Sequence, residues 1–165
     1  MVVGILVLCV AISRYFSGQD SLESNGLSQS LANYFMESLI ANDFPVNRND
    51  VFWKLTANAL LRKAAHFTEY MMIGFFLSTL LNLFIKRLWA CLPIATAVCF
   101  FIAYLDEYSQ QFVAGRGSQW LDVRIDTFGA FTGIILSSVI FFIVNRVQRL
   151  KMEIKRLKPQ QDGGV

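Results

Sequence analysis

The stretch Tyr70–Ile85, YMMIGFFLSTLLNLFI, is apolar and free of charge, and its reading decides the fold. Two similar runs follow it: Leu88–Leu105, LWACLPIATAVCFFIAYL, and Thr127–Asn145, TFGAFTGIILSSVIFFIVN. A helix needs about 20 predominantly apolar residues to cross a bilayer. The first run extends upstream to a helix start near Ala64, and modest extension of the other two brings all three to that length. Composition agrees: 55% of the 165 residues are hydrophobic and only 16% are charged, which places the chain among membrane proteins rather than soluble domains.

Outward from these runs the pattern weakens. Met1–Phe16 is apolar but short, and Arg14 interrupts its end. A signal peptide wants a basic segment before its apolar core, and none precedes Arg14, so an uncleaved first span is expected. Leu27, Leu31, Tyr34, Phe35 and Leu39 recur at helical spacing among Ser and Asn, as in an amphipathic helix lying on the membrane surface. Asp43–Asp50, with Pro45, Asn47 and Asn49, reads as a loop. Asp50 is placed to cap a further helix carrying Phe52, Leu55 and Ala59 toward Arg62. Whether that helix joins the Tyr70 span is open at this level. The expected fold is all-α and polytopic: about four transmembrane helices with one or two amphipathic interfacial helices. Residues 1–145 form the transmembrane domain and 146–165 a basic cytoplasmic tail.

Smaller features fit this reading. Pro93 falls early in the third span, where membrane helices tolerate a proline kink. Gly129 and Gly133 form a GxxxG in the fourth span, which suits close helix packing within the fold. Cys9, Cys91 and Cys99 lie in apolar stretches without CxxC spacing, so neither a zinc site nor a disulfide framework is expected. Basic residues form no run outside the tail, which argues against nucleic acid as a partner. Membrane lipids are the expected partners.

Orientation follows from charge. Lys86 and Arg87 make a tight turn between the second and third spans, and the tail from Arg146 to Lys158 carries six Lys/Arg. Span parity puts both on one side, which the positive-inside rule makes cytoplasmic. In the tail, Leu150, Ile154 and Leu157 alternate with charge, as in a helix on anionic lipid or a solvated basic end.

The polar residues near the spans are grouped. Arg62, His66 and Glu69 are spaced four and three apart and share one helical face. Asp106 and Gln110 share a face at the end of the third span, as do Glu107 and Gln110. Asp122 and Asp126 lie four apart at the start of the fourth, and Arg116 sits in the loop between, within Gly115-Arg116-Gly117. The second span starts outside, the third ends outside and the fourth starts outside. All three groups therefore converge at the extracytoplasmic boundary. Charges near lipid are costly and pair with one another or line a wet cavity. A salt-bridged girdle would set Arg62, Lys63 and Arg116 against Glu69, Asp106 and Asp122. A functional pocket would use the same groups, with the sole histidine and a carboxylate moving a proton near neutral pH. A divalent cation on His66, Glu69, Asp106, Glu107 and Asp122 would be repelled by the nearby Arg and Lys, so no metal or other cofactor is expected. Ser109 and Ser118 lack the G-x-S-x-G context of an activated nucleophile.

These residues resemble the VanZ-like family of membrane proteins. The resemblance runs through Arg62-Lys63-Ala64-Ala65-His66-Phe67-Thr68-Glu69-Tyr70, then Asp106-Glu107-Tyr108-Ser109-Gln110 and Gly115-Arg116. It continues through Asp122-Val123-x-x-Asp126-x-x-Gly129-Ala130-x-x-Gly133, with Phe16-Ser17-Gly18-Gln19 and Glu23-Ser24-Asn25 near the start. Gly18 stands where the family more often has Ser, and Ala114 where Pro is common. The resemblance implies a small polytopic protein of the cell envelope. Some relatives are linked to resistance against teicoplanin and related lipid-bearing glycopeptide antibiotics.

Three functions are open at this level. The first is an envelope enzyme or modifying factor acting on an amphiphile, either a lipid head group or a lipidated glycopeptide. Here His66 and Glu69 are an acid–base pair and Asp106, Glu107 and Asp122 are orienters. Arg62 and Arg116 are anion clamps, and Lys63, Gln110 and Asp126 complete the binding set. The second is a non-catalytic binder of a lipid or partner. The third is a small transporter, disfavoured because the third and fourth spans hold no charge in their interiors.

Overall fold

The computed structural model describes residues 2–17, 21–45, 51–85, 87–112 and 119–161. They form five helices and, among the described residues, no strand: α1 (Val2–Ser17), α2 (Ser21–Ala41), α3 (Val51–Phe84), α4 (Leu88–Gln110) and α5 (Trp120–Gln161). The Arg116 loop and Asp50, read above as a cap, lie outside the described residues.

Among the described residues three helices, not four, are long and apolar enough to span a membrane: Leu55–Phe84, Trp89–Gln110 and Trp120–Arg156. The expected first span is corrected on this point. The apolar part of α1 is only Val2–Ser13, short of a bilayer crossing. Its polar end turns into the protein, where Ser13 is buried beside Glu69.

The question left open by sequence is settled in favour of one continuous helix. The Asn58–Lys63 segment runs straight into the Tyr70 span, and α3 covers 34 residues. At 1.5 Å per residue that is about 51 Å, against about 30 Å of hydrocarbon, so part of α3 projects beyond the core. Likewise α5 passes without a break through Asn145 into the basic tail, over 42 residues.

The centre of the fold is α3. It packs against α1, α2 and α4, and most extensively against α5. The α3–α5 seam is tight because glycines line it. A Cβ on Gly129 would collide with the Phe67 carbonyl, one on Gly133 with the Met71 carbonyl, and one on Gly74 with the Ala130 backbone. The GxxxG therefore joins α5 to α3 within the chain. Lipid tails give no hydrophobic drive between helices, so this close van der Waals fit is what holds the pair. The seam also carries a Thr79–Ser137 hydroxyl bond of 2.9 Å. Tyr70, Ile73, Ala95, Cys99, Ala103, Val123, Ala130 and Ile134 form the apolar core between α3, α4 and α5.

The sequence marked the apolar stripe of α2, but a different face packs. Ala32 and Met36 are buried while Leu31, Tyr34 and Phe35 are exposed. The helix ends at a turn in which Asp43 adopts φ 58°. There Phe44 N–H donates to Leu39 and Asp43 N–H to Ile40, closing the last carbonyls as a Schellman cap.

Candidate functional site

The grouped charges meet at one level of the bundle. α3 is helical through Arg62, His66 and Glu69, so the four- and three-residue spacings put all three on one face. The facing positions of α5 are Asp122 and Asp126, one turn apart. Arg62 Nη2 lies 3.8 Å from Asp122 Oδ2, and one turn deeper His66 Nδ1 lies 3.8 Å from Asp126 Oδ1. The two pairs form successive rungs across the α3–α5 seam. Both distances suit ion pairs and exceed direct hydrogen bonds.

α4 closes the third side. Asp106, Glu107 and Gln110 are buried at its end. Asp106 sits close enough to act electrostatically on Glu69, Tyr70, Glu107 and Asp126. Glu107 lies within the field of Asp122 and Arg62. Its Oε1 accepts the Gln119 backbone N–H at 2.6 Å, fastening the end of α4 to the start of α5. Among the described residues, buried oxygens without a hydrogen-bond partner gather here: Glu69 Oε1, Tyr70 OH, Asp122 Oδ1 and Asp126 Oδ1. Leaving such groups unsatisfied costs about 1–3 kcal/mol each. Natural sequences keep such arrangements where something other than stability is at stake.

Of the ten residues singled out by sequence, His66, Glu69, Asp106, Glu107, Arg62, Gln110, Asp122 and Asp126 come together. Lys63 stands next to Arg62 but takes no part in an ion pair among the described residues. Arg116 lies outside them. Among the described residues no group of three His, Cys, Asp or Glu is arranged to hold a metal ion.

Sequence reasoning missed four contributors. Ser13 of α1 sits against Glu69, and only the tertiary fold brings that helix there. Tyr70 is fully buried, facing Glu69, Asp106 and Asp126; its place directly after Glu69 was the available signal. The backbone of Gln119 tethers Glu107. Arg124 lines a groove between α4 and α5 with Thr96, Phe100, Trp120, Thr127 and Phe131, of about 320 Å³. A smaller recess of about 140 Å³, lined by Tyr104, Glu107, Tyr108, Gln111, Trp120 and Val123, adjoins it.

Three apolar helices around buried carboxyl groups, with one histidine and one arginine paired to them, define a polytopic α-helical membrane protein with a polar interior near one end. The chain belongs to the VanZ/LLP1 family, whose profile matches residues 1–142. No curated protein and no solved structure matches the chain.

Proposed function

We propose that this VanZ-like protein resides in the cytoplasmic membrane of the cell, with its C-terminus inside, and binds or acts on an amphiphile at the outer head-group layer. The observation that carries this reading is the pair of rungs, Arg62–Asp122 and His66–Asp126, backed by buried Asp106 and Glu107. Titratable groups of both signs, gathered where a helix bundle meets water, are suited to a charged head group and to proton transfer. In this arrangement Arg62 holds an anionic group, and His66 exchanges a proton with Glu69 or Asp126. Asp106, Glu107 and Asp122 orient the cations, Arg116 serves as a second anion clamp, and Gln110 and Lys63 complete the binding set. The basic turn at Lys86–Arg87 and the basic end of α5 support the orientation. Lipid-bearing glycopeptides, with resistance to which some VanZ-like proteins are linked, are amphiphiles of the required kind.

The test uses the full-length protein in detergent micelles, titrated with teicoplanin and, in parallel, with a glycopeptide lacking the acyl chain. Saturable binding of the acylated compound alone, weakened by Arg62→Gln and His66→Gln, supports the reading. Teicoplanin susceptibility of a host expressing each variant at equal membrane level gives the cellular counterpart. If both variants match the parent in binding and in cells, the cluster is only a structural girdle.

A further inference from the structure

The groove between α4 and α5 has three properties that together specify an occupant. Its lining on α5 is the stripe Trp120, Val123, Arg124, Thr127, Phe128 and Phe131, at the three- and four-residue spacing of one helix face. From Trp120 to Phe131 this stripe rises about 16 Å, half of the ~30 Å hydrocarbon thickness and so the depth of one leaflet. Its volume of about 320 Å³ falls within the ~300–1,000 Å³ range of small-molecule sites.

The second property is charge. Arg124 lies inside the span Trp120–Arg156, is exposed, and among the described residues has no ion-pair or hydrogen-bond partner. A guanidinium at that depth is costly without a counter-charge, and a phosphodiester at the head-group boundary supplies one with bidentate geometry. The third is continuity. Trp120 and Val123 line both the groove and the recess that reaches Glu107, so the groove opens directly beside the carboxylate cluster.

We propose that the α4/α5 groove seats one acyl chain of a membrane phospholipid, with its phosphate on Arg124 and its head group turned into the Glu107 recess. This rests on the reading of the cluster as a head-group site. It adds the substrate class, a phospholipid entering laterally from the bilayer, and a specificity residue, Arg124. Phe100, Phe128 and Phe131 supply the apolar wall, and Thr96 and Thr127 leave the room the chain fills. Both threonine hydroxyls turn back to their own helix, Thr96 to the Leu92 carbonyl and Thr127 to the Val123 carbonyl, so they present methyl groups to the groove.

Trp120 provides a reporter. The chain has three Trp, and replacing Trp53 and Trp89 with Phe leaves Trp120 alone. The full-length W53F/W89F protein in detergent micelles is titrated with phosphatidylglycerol brominated on its acyl chains, and Trp120 fluorescence is followed. Saturable quenching is expected. Arg124→Gln should raise the half-saturating mole fraction about fivefold or more, while Arg124→Lys recovers part of the loss. Thr96→Leu narrows the groove without touching the charge and should lower the quenching at saturation. Each variant is first checked for parental helicity by circular dichroism. Quenching that rises in simple proportion to brominated lipid, alike in parent and Arg124→Gln, overturns the proposal. Loss of saturable quenching while teicoplanin binding still depends on His66 overturns the groove alone. Saturable, Arg124-dependent quenching with binding indifferent to His66 upholds the groove and overturns the cluster reading instead.

Discussion

His66 on α3 and Asp126 on α5 face each other across the glycine-lined α3–α5 seam, Nδ1 to Oδ1 at 3.8 Å. Asp126 also lies in the field of Asp106, Asp122, Glu107 and Glu69. A carboxylate so surrounded is held against electrostatic preference. Asp126→Asn keeps the volume and places a permanently neutral amide where the other carboxyl groups oppose a further negative charge. It should therefore stabilise the solubilised protein by about 1 kcal/mol, the usual size of a function-for-stability exchange. His66→Gln removes the imidazole that pairs with Asp126 and should lower stability by a similar amount. Thermal unfolding of the two variants in one detergent compares the signs. Equal losses in both would mark the pair as purely structural.

Close helix approach makes a second prediction. Gly133→Ala drives a Cβ into the Met71 carbonyl, which belongs to backbone and cannot rotate away. Overpacking of this kind costs about 1–3 kcal/mol. Gly26 in α2 has nothing within 4 Å of the same added atom. Gly26→Ala should instead gain about 0.5–1 kcal/mol from helix propensity. Opposite shifts in unfolding midpoint are expected, and a harmless Gly133→Ala would contradict the packing described for the seam.

Much of this site was readable from spacing alone. Four- and three-residue intervals placed Arg62, His66 and Glu69 on one face, and span parity then set them against Asp122, Asp126 and Asp106. The GxxxG was legible as a packing device, but only the fold names α3 as its partner. Three features were hidden for physical reasons. Asn58, Arg62 and Lys63 interrupt the apolar run and mask the continuity of α3, because a helix backbone continues whether or not every position is apolar. The short apolar stretch of α1 looks like a span until Ser13 is seen turned inward against Glu69. Arg124 has the composition of an interfacial charge, and only the neighbouring face of α4 turns its surroundings into a groove.

Glu107 has a structural duty separable from its charge. Its Oε1 accepts the Gln119 N–H at 2.6 Å, just before the first turn of α5. Glu107→Ala removes the acceptor and should cost about 1–3 kcal/mol. Glu107→Gln retains an amide oxygen in the same place and should cost less. Hydrogen exchange at residues 119–123 reports this locally. Faster exchange in the alanine variant, with near-parental exchange in the glutamine variant, is expected. Equal exchange in both would remove the tether from the account of how α4 and α5 are held.

The outer rung is weaker than its position implies. Arg62 keeps 31% of its side chain exposed and stands 3.8 Å from Asp122. Water screens such a pair, so a double-mutant cycle on Arg62→Ala and Asp122→Ala should give a coupling of only ~0.2–1 kcal/mol. Ligand binding should respond more strongly than stability, because the role proposed for Arg62 is to hold an incoming anion. A coupling of several kcal/mol would assign the pair to the structural girdle.

Orientation decides which leaflet the cluster serves, and labelling can read it directly. Cys9, Cys91 and Cys99 are free thiols, and replacing all three with Ala gives a background without cysteine. Phe112, exposed just past the end of α4, and Glu153, exposed near the end of α5, then serve as single-cysteine positions. In intact spheroplasts a membrane-impermeant maleimide should label Phe112→Cys at once. Glu153→Cys should react only after permeabilisation, as the proposed orientation, drawn from Lys86, Arg87 and the basic end of α5, requires. Neutralising Arg146, Arg149, Lys151 and Lys155 with Gln should weaken the asymmetry, since retained Lys/Arg near span ends set topology. The reverse labelling pattern would move the cluster to the inner leaflet. A lipid would then be engaged from the cytoplasmic side, and an antibiotic arriving from outside would meet only the opposite end of the bundle.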